Sequence, residues 1–401
     1  MSADSDSQSL FATRAARVTL VMSCLFGTTG VILVFLPRWL EVERGLSGAE
    51  IGAVLSLAQI ARVVTGPMVA AWTDSVADRS MPLRMIAAAA LVAYGAFFFL
   101  AQGFWPLLVL GFIALSLTQS LTPLIEAATL RATQTGRINY GLARGIGSIA
   151  FIAANILGGF IVAQFGVGAV VVWVLSGLVT VILSSWLALP DDPPQTLAPT
   201  SQRGGSIAAL LANRRFLVLI VSCGLIQSAH AFYYGFSTLV WRGQGVSAEL
   251  VGFLWAFGVA IEVAFLWSLP AIEKRVSPEA MILIGAAGAV GRWLCMGFAP
   301  LGFVLWPLQA LHALSFAAAH VGAMRLLFRE TPEHAHAMSQ TLYAVLTGGI
   351  LMGACTLLSG LLYDLGGARG YWAMAAIAAA GGLLALPLLN PPPRAPSATL
   401  R

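Results

Sequence analysis

The sequence is dominated by apolar runs that are each about as long as a bilayer core requires. A helix that crosses this core needs roughly 20 predominantly apolar residues. Because the runs are continuously apolar rather than alternating, they predict membrane-spanning helices and not the strands of a barrel. Twelve runs meet the length requirement, at residues 16–37, 49–72, 83–101, 106–130, 139–164, 167–189, 214–240, 247–270, 280–298, 302–327, 339–362 and 371–390.

Composition and charge agree with an all-α membrane protein of twelve transmembrane helices. Only 10% of the residues are charged, whereas about 25% are charged in a typical soluble domain. With both termini inside the cell, 15 of the 22 lysines and arginines lie on the cytoplasmic side, four lie outside and three lie within spans. This asymmetry follows the positive-inside rule and predicts cytoplasmic termini. The net charge of +5 therefore reflects topology, and we expect no nucleic-acid partner.

The sequence argues against several kinds of enzymatic and ligand-binding site. The four cysteines, Cys24, Cys223, Cys295 and Cys355, all lie in predicted spans, so no disulfide framework is expected. Lys274 is the only lysine and follows no glycine-rich turn, which excludes a Walker-type nucleotide site. Neither metal-ligand spacing nor a hydrolase motif is present. We therefore expect neither an enzyme nor a bound metal or cofactor.

The chain divides into two halves of similar length. A polar stretch rich in Pro, Ser, Thr and Gly follows the sixth span, a composition typical of a linker. The predicted organisation is a six-helix half at residues 1–190, a cytoplasmic linker at 191–213 and a second six-helix half at 214–401.

Short sequence echoes relate the two halves at offsets of 194 to 200 residues. The stretch EAATLR at 126–131 is echoed by HVGAMR at 320–325, and Phe165-Gly166 by Leu365-Gly366. Such parallel repeats are typical of transporters whose binding site lies between the halves near the membrane midplane. The residues that open the second span recur at the eighth, namely Gly45, Ser47 and Gly52 as Gly245, Ser247 and Gly252.

Five charged residues interrupt the spans. They are Arg62, Glu126, Arg144, Glu262 and Arg292. Charge at membrane depth is costly, so these groups are expected to face a cavity and to mark a pathway for substrate or ions. Glu126 and Arg144 lie at one depth on adjacent antiparallel helices and are predicted to pair. Glu262 and Arg292 are predicted to pair similarly.

Each pair has both a structural and a functional interpretation. Either pair could simply fasten two helices together. Alternatively, the pair of Arg144 opens to bind a substrate carboxylate, which suits a planar guanidinium, and the pair of Arg292 controls protonation of its carboxyl partner. Among the neutral candidates, His312 and His320 either relay protons or belong to the core, and Tyr233 either lines the cavity or belongs to the core.

The whole chain resembles the major facilitator superfamily. The resemblance rests on AQIARVVTG around Arg62, NYGLARGIGSIAF around Arg144, VGFLWAFGVAIEV around Glu262, GRWLCMG around Arg292 and LHALSFAAAHVGAMR over 311–325. Within the superfamily, these segments are most similar to the 3-phenylpropionate permease type of the lactose permease-like proton symporters.

This resemblance implies roles for particular residues. Glu126 and Arg144 match the family's substrate-binding pair, while Glu262, Arg292 and His312 match residues that handle substrate affinity and protons. Ser315 stands where the family has a further carboxylate, which argues against a direct copy of the lactose mechanism. The full expectation is a substrate site of Arg62, Glu126, Arg144, Tyr233 and His320 and a proton-coupling site of Glu262, Arg292 and His312.

The sequence therefore predicts a secondary active transporter that works by alternating access. Three buried arginines against two glutamates favour an organic anion, and the resemblance suggests an aromatic carboxylate with a proton as the coupling ion. The alternatives within transport are a sugar or nucleoside symporter and a drug or metabolite exporter; those outside it are a membrane enzyme and a sensor. We expect a functional monomer in the inner membrane, with the small-molecule substrate and the lipid bilayer as its partners.

Overall fold

The computed structural model describes residues 13–134, 138–189 and 207–390, and all regular structure in these ranges is helical. The predicted linker lies outside the described residues except for its last part. The α-helices are α1 Arg14–Arg44, α2 Gly48–Ser75, α3 Ser80–Phe99, α4 Phe104–Thr133, α5 Tyr140–Phe165, α6 Ala169–Leu187, α7 Ile207–Ala212, α8 Arg214–Ser228, α9 Ala231–Gly243, α10 Ala248–Ile272, α11 Pro278–Met296, α12 Leu305–Ala310, α13 Ala319–Glu330, α14 His336–Ala344, α15 Met352–Gly366 and α16 Gly370–Ala385.

Shorter helical turns connect some of these helices. Turns of 3-10 type occupy Gly302–Val304, Glu333–Ala335, Gly367–Arg369 and Leu386–Leu389, and π-helical turns occupy Ala313–Ala318 and Val345–Leu351. The π turns lie inside the predicted tenth and eleventh spans.

The described helices account for the predicted twelve crossings. Eleven helical stretches are long and apolar enough to span a bilayer, and the last of them covers 57 residues. At about 1.5 Å per residue that stretch would be about 85 Å long, far more than one crossing needs. It turns back at Gly367, whose φ is +54°, and so contains both α15 and α16. The predicted all-α fold class is confirmed.

The sequence echo at the second and eighth spans corresponds to a shared helix-start motif. Gly45 and Gly245 both have positive φ and end the preceding helix. Ser47 and Ser247 then cap the N-termini of α2 and α10, each accepting a hydrogen bond from the backbone three residues on. The repeat therefore specifies where each helix begins.

Three large buried apolar clusters hold the bundle together. One joins α1, α3, α4 and α6 within the first half and includes Met22 and Val181. A second lies wholly within the second half and includes Phe216 and Leu326. The third spans both halves, bringing Phe97 into the same cluster as Leu254. The apolar core is therefore shared across the interface between the halves.

The interface between the halves is tight at one end of the bundle. We call the end where α1 begins the terminus face and the end where α1 meets α2 the far face. Near the far face, α2 packs on α15 and α5 on α10. A Cβ atom at Gly252 would lie 2.2 Å from the Asn155 carbonyl oxygen, and one at Gly360 would lie 2.3 Å from that of Gly48. Only glycine permits this approach, and the far face is closed.

A carboxylate from one half caps a helix of the other at this closed face. Asp364, at the end of α15, accepts hydrogen bonds from the backbone N–H groups of Gly48 (2.7 Å) and Ala49 (2.8 Å) at the start of α2. The helix dipole adds to this attraction. Tyr363 reinforces the contact by donating to Glu41 of α1 at 2.9 Å. These bonds form only while the two halves meet at the far face.

The bundle is open towards the terminus face. Arg62 and His320 are exposed, and Glu126, Arg144 and Glu262 are partly exposed. Because ionised groups are rarely exposed to lipid, these side chains face a water-accessible cavity. Their helices, α2, α13, α4, α5 and α10, line the cavity.

Replacing Asp364 with alanine should weaken closure of the far face. The loss of a helix cap typically costs about 0.5–2 kcal/mol. Because Asp364 caps α2 only in the closed state, its loss destabilises that state alone, and the far-face-open population should rise several-fold. Maleimide labelling of an Ile32→Cys reporter in a cysteine-free background, with reagent applied from the far side, measures this population.

Glu50→Ala is the matched control for Asp364→Ala. Glu50 completes a capping box with Ser47 on the same helix terminus but makes that contact within α2 alone. Equal labelling of the two variants would show that helix capping, and not the contact between halves, accounts for the effect.

Candidate functional site

The predicted pair of Glu126 and Arg144 is present on the cavity wall. Arg144 Nε lies 3.3 Å from Glu126 Oε1, and the side chains are 41% and 34% exposed. Arg144 also donates to Ser148 Oγ at 3.0 Å and lies over the Phe26 ring at 4.6 Å. The pair is confirmed, and its exposure leaves both partners accessible to a ligand.

Arg62 lies halfway along α2 and faces the cavity without an ion pair among the described residues. A Cβ atom on Gly348 of the second half would lie 3.8 Å from Arg62 Nη1, so the guanidinium lies beside both halves. Glu126 attracts it electrostatically, although Glu126 already makes its ion-pair contact with Arg144. The cavity therefore contains a guanidinium with capacity for a further anion.

The second pair was predicted with the wrong contact, because a histidine lies between its members. Glu262 Oε2 is 3.3 Å from His312 Nε2, and His312 Nδ1 is 3.0 Å from Arg292 Nη1. An arginine can only donate, so Nδ1 accepts and Nε2 carries the proton that faces Glu262. The result is a relay from a carboxylate at the cavity to a buried guanidinium.

Arg292 is fully buried and surrounded by polar and aromatic groups. Its Nη2 donates to Gln309 Oε1 at 2.9 Å, and the same oxygen accepts from the Tyr233 hydroxyl at 2.8 Å. The guanidinium carbon lies 4.5 Å from the ring centroids of both Tyr233 and Trp293. Tyr233, predicted to bind substrate, thus packs against the buried Arg292, while its neighbour Tyr234 lines the cavity.

A break in the seventh span adds another histidine to this network. The predicted span 214–240 is divided into α8 and α9, and His230 lies in the break. Its Nδ1 is 3.0 Å from the Gln227 carbonyl oxygen and its Nε2 is 3.1 Å from Ser315 Oγ. Ser315 in turn accepts from Arg292 Nη1 at 3.4 Å. Ser315, which stands where the resemblance expects a carboxylate, thus joins the buried His230 and Arg292.

A π turn aligns three side chains of the tenth span in one column. His312, Phe316 and His320 stack with ring centroids 5.2 and 6.1 Å apart and nearly parallel planes. Residues four apart drift around a regular α-helix of about 3.6 residues per turn, whereas the wider turn at Ala313–Ala318 keeps them on one face. The column leads from the buried relay to the exposed His320, beside Tyr343.

Gln309 and His230 were not among the predicted site residues. Gln309 lies in an unremarkable apolar run, and its role depends on the fold that brings α11 and α12 together. For Ser315 the sequence signal was the resemblance, which marked its position. By contrast, all eight predicted site residues lie on the cavity wall or in the relay next to it.

Comparisons with known proteins identify a family for the whole chain. The sequence profile of the MFS_1 like family matches residues 17–374. The probable 3-phenylpropionic acid transporter of Escherichia coli (strain K12) is 30% identical over 357 residues, which cover 88% of this chain and 92% of that protein. The maltose permease of Geobacillus stearothermophilus is 25% identical, covering 87% and 89%.

Solved structures show the same fold. A mutant of the nucleoside transporter NupG aligns with a TM-score of 0.80 at 16% identity, covering 94% of this chain and 99% of that chain. A bacterial homologue of the human lysosomal transporter Spinster aligns with a TM-score of 0.72 at 14% identity, covering 94% and 97%.

Replacing Gln309 with leucine should destabilise the protein markedly. The change removes the acceptor shared by Arg292 and Tyr233, and a buried donor left without a partner costs about 1–3 kcal/mol, more if it is charged. The apparent Tm of the purified protein, followed by intrinsic fluorescence, should fall by several degrees.

Gln244→Leu provides the comparison, because that amide donates to the Ala299 carbonyl oxygen near the far face and makes no hydrogen bond to a charged side chain among the described residues. A Tm loss no larger for Gln309→Leu than for Gln244→Leu would contradict the central place given to Gln309.

Proposed function

This chain belongs to the MFS_1 like family of transporters, and we propose that it is a proton-coupled symporter for a small organic anion such as an aromatic carboxylate. The proposal rests on one observation above all. Arg62 faces the cavity without an ion-pair partner among the described residues, whereas Arg144 is paired with Glu126 and Arg292 is linked through His312 to Glu262. Among the described residues, the charge at the substrate cavity that has no ion-pair partner is therefore positive.

A carboxylate is the ligand that best completes this arrangement. A guanidinium presents a planar fork of donors that binds a carboxylate through two hydrogen bonds. Arg144 lies in the same cavity and is already held by Ser148 and Glu126. In our proposal the substrate carboxylate binds Arg62 and draws Arg144 partly away from Glu126, so that both arginines contact it.

One of the relatives supports the same class of substrate. The 30% identical protein is described as a probable 3-phenylpropionic acid transporter, and the cavity here supplies both a cation and apolar surface. A sugar symporter is the second candidate, because a maltose permease is also similar to this chain and the cavity wall contains several amides and hydroxyls.

Glu262 is our candidate for the proton-coupling group, with Arg292 and His312 as its partners. Its side chain is 21% exposed to the cavity and contacts His312, which lies against Arg292. A proton arriving from the cavity would neutralise Glu262 and loosen its attraction to the relay. A change in the charge of one member would thus alter the contacts of α10 with the helices that carry His312 and Arg292.

The proposal also covers the location and the orientation of the protein in the cell. We place the protein in the inner membrane as a functional monomer, with both termini cytoplasmic as the distribution of basic residues predicts. The terminus face is then cytoplasmic, and the structure corresponds to an inward-open state whose far face is sealed by α2, α5, α10 and α15. Alternating access would open the far face and close the terminus face around the bound substrate.

Replacing Arg62 with glutamine should weaken binding of 3-phenylpropionate by about 100-fold, because a charge-assisted pair contributes about 2–3 kcal/mol. Binding of the uncharged 3-phenylpropionamide should change little. Isothermal titration with both ligands on the purified protein measures the difference.

The control for Arg62 is Arg275→Gln, which removes an exposed arginine outside the cavity and should bind both ligands as the parent does. If Arg62→Gln binds the acid as tightly as the parent, Arg62 does not recognise the carboxylate. If the parent binds maltose and neither aromatic ligand, the sugar alternative replaces the proposal.

Replacing Glu262 with glutamine should abolish accumulation driven by a pH gradient, because the glutamine imitates a permanently protonated carboxyl. Exchange of labelled against unlabelled substrate should continue. Reconstituted vesicles assayed with and without an imposed pH gradient separate the two activities.

Glu273→Gln serves as the control for Glu262→Gln. Glu273 is the carboxylate at the end of the same helix and contacts Arg325, away from the His312 relay. Gradient-driven accumulation by Glu262→Gln at the parental level would assign the proton elsewhere, with Glu126 and His320 as the next groups to test.

A further inference from the structure

A pocket lies between the charged groups and the closed far face. Its volume is about 260 Å³, and both halves contribute to its wall. A cavity of about 150 Å³ already accommodates benzene, so the space is sufficient for a substituted aromatic ring. The apolar part of the wall consists of Ile32, Leu33, Leu36, Pro37, Leu55, Leu115, Phe151 and Tyr234.

A polar strip from α2, α4 and α15 interrupts this apolar wall. Thr118 is satisfied within its own helix, since its hydroxyl donates to the Ala114 carbonyl oxygen at 2.9 Å. Gln59 is partly satisfied, because its Oε1 accepts from the Thr356 hydroxyl at 3.1 Å. Gln119 differs from both: its buried Oε1 has no hydrogen-bond partner. The pocket wall thus contains an amide with unused hydrogen-bonding capacity.

The pocket lies about one substrate length from the arginines. Gln119 and Glu126 are seven residues apart on α4, and Phe151 and Arg144 are seven residues apart on α5. At about 1.5 Å per residue, both separations are about 10 Å along the helix axes. Arg62 is closer, three residues beyond Gln59 on α2. A ligand with its carboxylate at Arg62 therefore places an attached ring in the pocket.

We propose that Gln119 is a specificity-determining residue that selects an aromatic carboxylate carrying a hydroxyl group on its ring. This inference rests on the proposed function and extends it to the far end of the substrate. A hydroxyl suits the amide in either orientation, because it can both donate and accept a hydrogen bond. The surrounding apolar wall contacts the ring faces, and Gln119 provides the polar group for one ring substituent.

Burial explains why the amide would discriminate between ligands. An unsubstituted ring offers the buried Gln119 Oε1 no hydrogen-bond partner, and an unpaired buried polar group is costly. A site built to bind a hydroxyl rejects the analogue that lacks it for this reason. The hydroxylated ligand should therefore bind about tenfold more tightly, the equivalent of one net hydrogen bond.

The experiment compares 3-phenylpropionate with its meta- and para-hydroxylated analogues by isothermal titration on the purified full-length protein. The parent should prefer at least one hydroxylated ligand by about tenfold. Gln119→Met keeps a similar side-chain length and removes the amide, so it should lose this preference while binding 3-phenylpropionate at least as well as the parent. Gln134→Met, the same substitution at the exposed end of α4, should retain the preference.

The outcomes separate this inference from the proposed function. If the parent binds all three ligands equally, or if Gln119→Met keeps the parental preference, the role of Gln119 is overturned while the anion proposal stands. If the parent binds none of the three carboxylates, the proposed function fails, and the inference fails with it. A variant that does not fold would be recognised by its Tm, and Gln119→Leu would then replace it in the same comparison.

Discussion

Placing charge at membrane depth is the constraint on which the rest of this structure depends. An ionised side chain in hydrocarbon must be paired, hydrogen-bonded or exposed to water. The five charged residues within the spans do not all meet this requirement in the same way. Arg292 is fully buried but has Gln309, His312 and two aromatic rings around it. Arg62 has no ion pair among the described residues but is exposed to the cavity. The cavity is thus necessary for the sequence to be stable as well as for transport.

The two halves solve this problem differently, and the difference suggests a division of roles. In the first half, Glu126 and Arg144 are both substantially exposed, so water or a ligand can compete for their contact. In the second half, Arg292 is buried in a network through His312 to Glu262, where the outer carboxylate alone reaches the cavity. A pair that opens readily suits reversible substrate binding. A buried relay with one accessible end suits a proton, because a proton is small enough to act without disrupting the aromatic packing around the guanidinium.

Much of this could be predicted from sequence, because the governing patterns are local. Apolar run lengths predicted the crossings, and the depth of Glu126 and Arg144 on antiparallel helices predicted their contact. What sequence reasoning missed depends on departures from regular helices. The break at His230 and the π turn after His312 shift side chains around the helix axis, so a projection from residue numbers gives the wrong neighbours. The predicted contact of Glu262 with Arg292 was wrong because His312 lies between them, although both residues belong to one network.

Three of the helices that close the far face, α2, α5 and α15, also line the pocket. Asp364 of α15 caps α2, while Gln59 of α2 and Thr356 of α15 are bonded to each other at the pocket wall. Opening the far face must separate α2 from α15 and so alter that wall. A ligand can shift a conformational equilibrium only by as much as its affinity differs between the two states. Because the wall is shared by the halves, a ligand that fills the pocket contacts the surfaces that separate, and its affinity must differ between the states. In our proposal, substrate binding and closure of the far face are therefore coupled through α2 and α15 without any contact between the substrate and Asp364.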